Sequence, residues 1–277
     1  MKSRLAASDA LFLKPLLFGL DRTDSPFELV TDFPAVNALK LNERSGGLRN
    51  AFLSPIDYAR HGGDYRIVPN VCAASSDPTG TIQLVLKSGL RNIDTVAVDV
   101  RFTSEIILAK IILSEKYRSE PEHNKLQFVP MMSDVDAMLA KADAALLVQD
   151  FPGAVTRPET FTLDLVEEWA DLTGLPYVHG FWVGREEDLS GPEANALISA
   201  KNSGVLLKPQ IAQAAAQQQN RSMEELTRYL SAFSYDLGEK EEESLAEFLH
   251  YAYYHGIIGD VPEILYFNTE TTDPSQN

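Results

Sequence analysis

The run Thr95-Val96-Ala97-Val98-Asp99-Val100-Arg101-Phe102-Thr103-Ser104 passes from an unbroken apolar segment, through a polar turn, to the start of a helix. Residues 95–100 are too few for a helix and show no alternation, which marks a strand buried on both faces. From Glu105 to Tyr117 the side chains Ile106, Leu108, Ile111, Ile112 and Leu113 form a broad apolar face, so a helix is expected there. A buried strand feeding a helix is the unit of a sheet with parallel crossovers.

Upstream, the same grammar repeats. Residues 3–8 read as a strand, Phe12 to Leu20 as a helix, and Phe27 to Val30 as a strand. Pro34 opens a short helix with Ala35, Leu39 and Leu41. Ala51-Phe52-Leu53 is a buried strand ended by Ser54-Pro55, and Thr79 to Leu86 is another, closed by Lys87-Ser88-Gly89. Downstream come a strand at Leu126 to Val129, a helix capped by Ser133 and ending near Lys141, and a strand at Ala144 to Val148. Phe161 to Leu172 reads as a helix stopped by Thr173-Gly174, and Tyr177 to Val183 as the last strand. After Gly184 only helical periodicity remains: Ala194 to Ser203, Leu206 to Gln219, Ser222 to Tyr235 and Glu241 to His255. This layout predicts an α/β protein of two lobes, residues 1–89 plus 179–277 and residues 90–178. A ligand cleft between them would be lined by strand C-terminal ends and helix N-termini.

Composition narrows the partners. The 277 residues carry 24 Lys and Arg against 40 Asp and Glu, a formal charge of −16. Nucleic-acid binding needs clustered cations to neutralise phosphates, so it is not expected. The single Cys72 excludes an intrachain disulfide and a Cys-based zinc site. The five histidines lack ligand spacing, so no metal is expected, and no cofactor motif such as GxGxxG or GxxxxGK[ST] is present. The apolar stretch from Ala10 to Leu20 is broken by Lys14 and Pro15 and followed by Asp21-Arg22-Thr23-Asp24, unlike a signal peptide. No apolar run approaches the roughly 18 residues of a membrane span. The expectation is a cytoplasmic protein, monomer or homodimer, with no membrane partner.

The residues that carry chemistry lie at strand ends. Arg101, Thr103 and Ser104 combine a cation, two hydroxyls and free backbone N–H groups at a helix start, which suits an anion; the alternative is ordinary capping. Ser54, Gln149 and Asp150 each follow a strand directly and would face the cleft, or else serve as turn and cap residues. His179 sits in an apolar strand, either as a satisfied core histidine or facing the cleft and titrating near neutrality.

Several segments together resemble the chorismate dehydratase family of the futalosine menaquinone pathway, which has the type II periplasmic-binding-protein fold. They are Leu53-Ser54-Pro55-Ile56-Asp57-Tyr58-Ala59, Thr95 to Asp99 with Thr103-Ser104, Ala142-Asp143-Ala144 through Gln149-Asp150, and Leu163-Asp164-Leu165 with Trp169. Thr173-Gly174-Leu175-Pro176-Tyr177-Val178 and Tyr235-Asp236-Leu237-Gly238 complete the set. The resemblance implies dehydration of chorismate to 3-[(1-carboxyvinyl)oxy]benzoate. That reaction holds two carboxylates, removes one C–H proton and expels one hydroxyl. It implies Asp150, Asp9 and His179 as proton-transfer groups, Asp9 by its likeness to the sister enzyme dihydroxynaphthoate synthase. It implies Phe12, Ser54, Gln83, Arg101, Thr103, Ser104 and Gln149 as substrate-binding positions. The chain departs from the family at three of these. Phe12 stands where the family carries Asn before the proline of the first turn, Gln83 stands where it carries Ser, and Gln149 replaces the Gly before Asp150. Two readings stay open, a divergent lyase or a non-catalytic binder of a small carboxylate in the same cleft.

Overall fold

The computed structural model describes residues 2–61, 64–90, 92–117, 126–150 and 159–268. In chain order β1 (Ser3–Ala7) leads through a 3-10 turn to α1 (Lys14–Leu17), followed by β2 (Phe27–Thr31), α2 (Pro34–Asn42), β3 (Leu48–Leu53), α3 (Pro55–His61) and β4 (Tyr65–Ser75). A second group follows: β5 (Ile82–Lys87), β6 (Thr95–Val98), α4 (Thr103–Lys116), β7 (Gln127–Pro130), α5 (Val135–Lys141), β8 (Ala144–Val148), β9 (Thr160–Asp164) and α6 (Leu165–Thr173). The remainder is β10 (Tyr177–Arg185), α7 (Gly191–Leu206), α8 (Lys208–Gln219), α9 (Met223–Ser231), β11 (Phe233–Ser234) and α10 (Glu239–Tyr254).

These strands form a six-stranded sheet in the order β11-β4-β10-β3-β1-β2 and a five-stranded sheet in the order β7-β6-β8-β5-β9. In the first, β1 runs parallel to β2 and β3, while β10 runs antiparallel to β3 and β4. In the second, β6 is parallel to β7 and β8, while β5 is antiparallel to β8 and β9. The sequence reading kept Thr79 to Leu86 with the early strands and began the second lobe at residue 90. The pairing of β5 instead moves the first crossing between sheets to just before Ile82. Nothing local distinguishes an antiparallel buried strand from a parallel one, so the spacing pattern misplaced it.

Three further expectations change. Phe161 to Leu172 is not one helix but β9 followed by α6, because Asp164 accepts hydrogen bonds from the N–H of Val166 and of Glu167 and starts the helix there. Asp134, not Ser133, caps α5; the Ser133 hydroxyl donates to Asp99 Oδ2 at 3.0 Å. The long strand β4 lacks a clean alternation and was not anticipated.

Packing explains how the strand ends are held. One apolar cluster joins both sheets through α3, α4, α6 and α10, and a second fills the space between the first sheet and α7, α8 and α9. The chain re-enters the first sheet through Thr173-Gly174-Leu175-Pro176. Gly174 ends α6 with φ of 73°, a conformation that costs other residues steric strain, and its N–H donates to Ala170 O at 2.8 Å. Trp169 then donates through Nε1 to Ser244 Oγ at 3.1 Å, tying this re-entry to α10. On the other side, α7 approaches α1 so closely that a Cβ on Gly204 would lie 2.0 Å from the Pro15 carbonyl oxygen. That contact fixes the turn after β1.

Candidate functional site

The C-terminal ends of β1, β2, β3, β6 and β8 converge on a cavity of about 520 Å³ between the two sheets. Its walls come from the turn after β1 (Asp9, Phe12), the turn after β2 (Asp32, Phe33), and the start of α3 (Ser54, Asp57). The start of α4 (Arg101 to Glu105), the end of β8 (Gln149, Asp150), Thr81 and His179 complete it. The sequence-derived residues Asp9, Phe12, Ser54, Arg101, Thr103, Ser104, Gln149, Asp150 and His179 therefore lie together. Gln83 does not. It sits on β5 away from the cavity lining, with a buried Oε1 that lacks a partner among the described residues, and Thr81, two residues earlier, lines the cavity instead.

Each residue acquires a definite environment. Phe102 is the N-cap of α4 and makes no side-chain cap, so the Thr103 and Ser104 hydroxyls are not spent on capping. Ser104 Oγ lies 3.3 Å from the Tyr177 hydroxyl. Arg101 turns back onto Asp99, donating through Nε to Oδ1 at 2.9 Å, and its guanidinium lies 4.7 Å above the Phe33 ring of the other sheet. Those hydrogen bonds hold the Asp99 carboxyl down at about 2. Ser54 donates to Asp57 Oδ2 at 2.7 Å and accepts from the Asp57 N–H at 3.3 Å, closing the first turn of α3. Gln149 donates its N–H to Thr81 O at 2.8 Å, joining the end of β8 to that wall.

The charges are uneven. The carboxyls of Asp9, Asp32, Asp57, Glu105 and Asp150 line the cavity, against the single guanidinium of Arg101. Asp9 is ion-paired with Lys14, and Asp32 with Lys40 at 2.7 Å, which lowers the Asp32 pKa. Asp150, at the rim, is pushed up by burial and by the neighbouring negative charge of Asp9. Glu105 is pushed up to about 7, chiefly by desolvation, with the charge of Asp57 adding to it. His179 faces the cavity but does not behave as a neutral-pH titrator. Its Nε2 lies 2.7 Å from Ser75 Oγ, its ring is packed among Phe12, Tyr177 and Phe233, and desolvation lowers it to about 3. Among the described residues no group of three or more His, Cys, Asp or Glu side chains is placed to hold a metal ion.

Sequence reasoning missed Glu105, Asp57 and Thr81. An acid in the first turn of a helix reads as a complement to the helix dipole, so Glu105 and Asp57 carried no separate signal. Thr81 was missed because the resemblance matched the family's serine to Gln83, two residues further along.

Comparison with known proteins follows the same lines. A family model described as menaquinone biosynthesis matches residues 3–254. The chorismate dehydratase of Thermus thermophilus is 27% identical over 216 residues, covering 74% of this chain and 79% of that protein. Among solved structures, protein AF1704 from Archaeoglobus fulgidus superposes with a TM-score of 0.71 at 20% identity, over 93% of this chain and 98% of that one. The Candida albicans CA3427 product, described as having the generic periplasmic-binding-protein fold, gives 0.62 at 12% identity over 95% and 92%. The aliphatic sulphonate binding protein SsuA of Escherichia coli gives 0.62 at 10% identity over 96% and 94%. The fold is that of the periplasmic binding proteins. No helix among the described residues is long and apolar enough to cross a membrane.

Proposed function

This chain belongs to the menaquinone biosynthesis family, and from that premise we propose that it is a carbon–oxygen lyase that dehydrates chorismate to 3-[(1-carboxyvinyl)oxy]benzoate. The observation that carries this reading is the α4 start, where the Thr103 and Ser104 hydroxyls, neither used as a cap, line the cavity beside Arg101. Such an array is suited to a carboxylate. Aromatisation supplies much of the driving force, so holding the ring in one pose contributes a large part of the acceleration. The cavity then needs one group able to move a proton. In this reading the reaction takes place in the cytoplasm and uses no cofactor.

One observation favours a second reading, a non-catalytic binder of a small carboxylate. The Phe12 ring occupies the turn where the resembled family places an Asn, and it stacks on Phe233 with centroids 5.1 Å apart. Incubation of the purified protein with chorismate, followed by chromatography of the products, tests the first reading. Formation of the benzoate with loss of chorismate is expected. Unchanged chorismate, with thermal stabilisation by another carboxylic acid but not by chorismate, would replace the lyase with the binder.

A further inference from the structure

Side chains from the two sheets meet at one edge of the cavity. Phe33, in the turn after β2, belongs to the first sheet, while Arg101 and Phe102 precede α4 on the second. The Arg101 guanidinium lies 4.7 Å from the Phe33 ring centroid and 5.9 Å from that of Phe102. The two rings meet edge to face, 6.3 Å apart at 84°. Phe33 is 39% exposed and the Arg101 side chain 37%. A pair that lines the cavity and also reaches solvent stands at its mouth.

Each partner is anchored within its own half of the molecule. The Arg101 N–H and Nε donate to Asp99 Oδ1 at 3.1 and 2.9 Å, and Ser133 donates to Asp99 Oδ2 at 3.0 Å. The Phe33 N–H donates to Asp32 Oδ1 at 2.9 Å, Lys40 holds Asp32 Oδ2 at 2.7 Å, and the buried Asn37 donates through Nδ2 to the Asp32 carbonyl at 3.1 Å. Parting Phe33 from Arg101 breaks none of these bonds. It gives up one cation–π contact and one edge-on ring contact, which together favour the joined arrangement by about 5–50-fold.

A wider opening meets more resistance. One apolar cluster runs from sheet to sheet, with Ile56 and Tyr58 of α3 and Ile107 and Leu108 of α4 among its members. Separating the sheets would expose that cluster to water, whereas turning three side chains at the mouth leaves it intact. Arg101 is engaged at its edge by Asp99 and at its face by Phe33, so its charge is already committed on both sides.

We propose that Phe33, Arg101 and Phe102 form a side-chain gate over the cavity, with Arg101 acting as the bar of the gate rather than as a fixed counter-ion for the ligand. Joined, the three side chains keep water out and retain a bound molecule; parted, they let it exchange. The gate goes beyond both functional readings and holds for a lyase or a binder.

The test measures access to the cavity without any ligand. Thr81 lines the cavity and is almost fully buried, and the native thiol, Cys72, is wholly buried. Thr81→Cys in the full chain therefore places one reactive thiol inside, and the wild type gives the background rate with methyl methanethiosulfonate. Adding Phe33→Ala should speed modification about 5–50-fold, and Phe33→Leu, which keeps bulk but not the ring, should speed it less. Arg101→Lys keeps the charge beside Asp99 but loses the planar face, and should also speed it. Phe33→Ala with Arg101→Lys should exceed the larger single effect by no more than about twofold, because both remove the same contact. A Phe33→Ala rate within about twofold of its parent, or a thiol unreactive in every variant, would overturn the gate. So would an Arg101→Lys rate equal to the parent's, as expected of a counter-ion alone, or effects that multiply independently in the double variant. Circular dichroism of each variant confirms the fold, and Phe33→Leu decides the question should Phe33→Ala fail to fold.

Discussion

Replacing Phe12 by Asn probes the cavity floor and the histidine beneath it together. The Phe12 ring lies nearly parallel to Phe233, at 7° and 5.1 Å, and 5.3 Å from the His179 ring. An aromatic pair contributes about 0.5–1.5 kcal/mol beyond its buried area, and a half-buried ring adds roughly 1 kcal/mol of transfer energy. The Tyr235 hydroxyl donates to the Phe12 backbone carbonyl at 2.7 Å, and that bond survives the change. The substitution should therefore cost about 1.5–2.5 kcal/mol, or roughly 3–10 °C in Tm for a chain of this size. It should also admit water to His179. The wild-type imidazole, held down to about 3 by desolvation, stays neutral in the native state, while the unfolded chain binds a proton below about 6.5. The native state binds fewer protons, so stability falls as pH drops from about 6.5 towards 3. In Phe12→Asn the His179 midpoint should rise by a unit or more and this acid loss should become shallower. Ring-nitrogen NMR between pH 4 and 8 reads it directly, and turnover of chorismate should increase as the cavity widens. A wild-type His179 that titrates near 6.5, or a midpoint unmoved in the variant, would refute the reasoning.

Glu105→Gln makes a separate prediction about stability. The wild-type carboxyl is raised from 4.5 to about 7, so the native state holds a proton that the unfolded chain releases, and stability falls as pH rises from about 4.5 to 7. At about 1.4 kcal/mol per unit the ceiling is near 3 kcal/mol, and contact with cavity water reduces it to about 1–3 kcal/mol. Urea denaturation should show the Gln variant gaining on wild type from pH 5 to pH 8; parallel profiles would count against the raised carboxyl. Asp164 caps α6 through the N–H of Val166 and also accepts from Gly80 N–H at 2.6 Å, tying the first crossing to that helix. Asp164→Ala should cost about 1–2 kcal/mol in the same assay, with Asn retaining part of it, and a loss below about 0.5 kcal/mol would mean the tie carries little.

The fold was legible where local pattern and tertiary role agree. The continuous apolar run of β6 and the broad apolar face of α4 could be read because burial on both faces leaves no polar alternation. Thr173-Gly174 could be read because a left-handed cap demands glycine. Strand partners could not, since β5 is as apolar as a parallel strand and only its neighbours β8 and β9 reveal its direction. The site divided similarly. Strand-end position found Ser54, Arg101, Thr103, Ser104, Gln149 and Asp150, and the family resemblance added Asp9 and Phe12; with His179 these nine line the cavity, while Gln83, matched to the family's serine, does not. Glu105 was invisible because a first-turn acid reads as a complement to the helix dipole, and its place in the cavity wall shows only in three dimensions.

The formal charge of −16 bears on that same point. Long-range attraction cannot bring a carboxylate to this cavity, and of its acids Asp9 and Asp32 are ion-paired with Lys14 and Lys40. An acidic cavity wall penalises an anion only while its carboxyls are ionised. A proton held on Glu105 removes one charge from the wall where the α4 N–H groups are available. The acid that obstructs an anionic ligand at high pH is then the one that admits it near neutrality. Binding of such a ligand is thereby linked to protonation of Glu105.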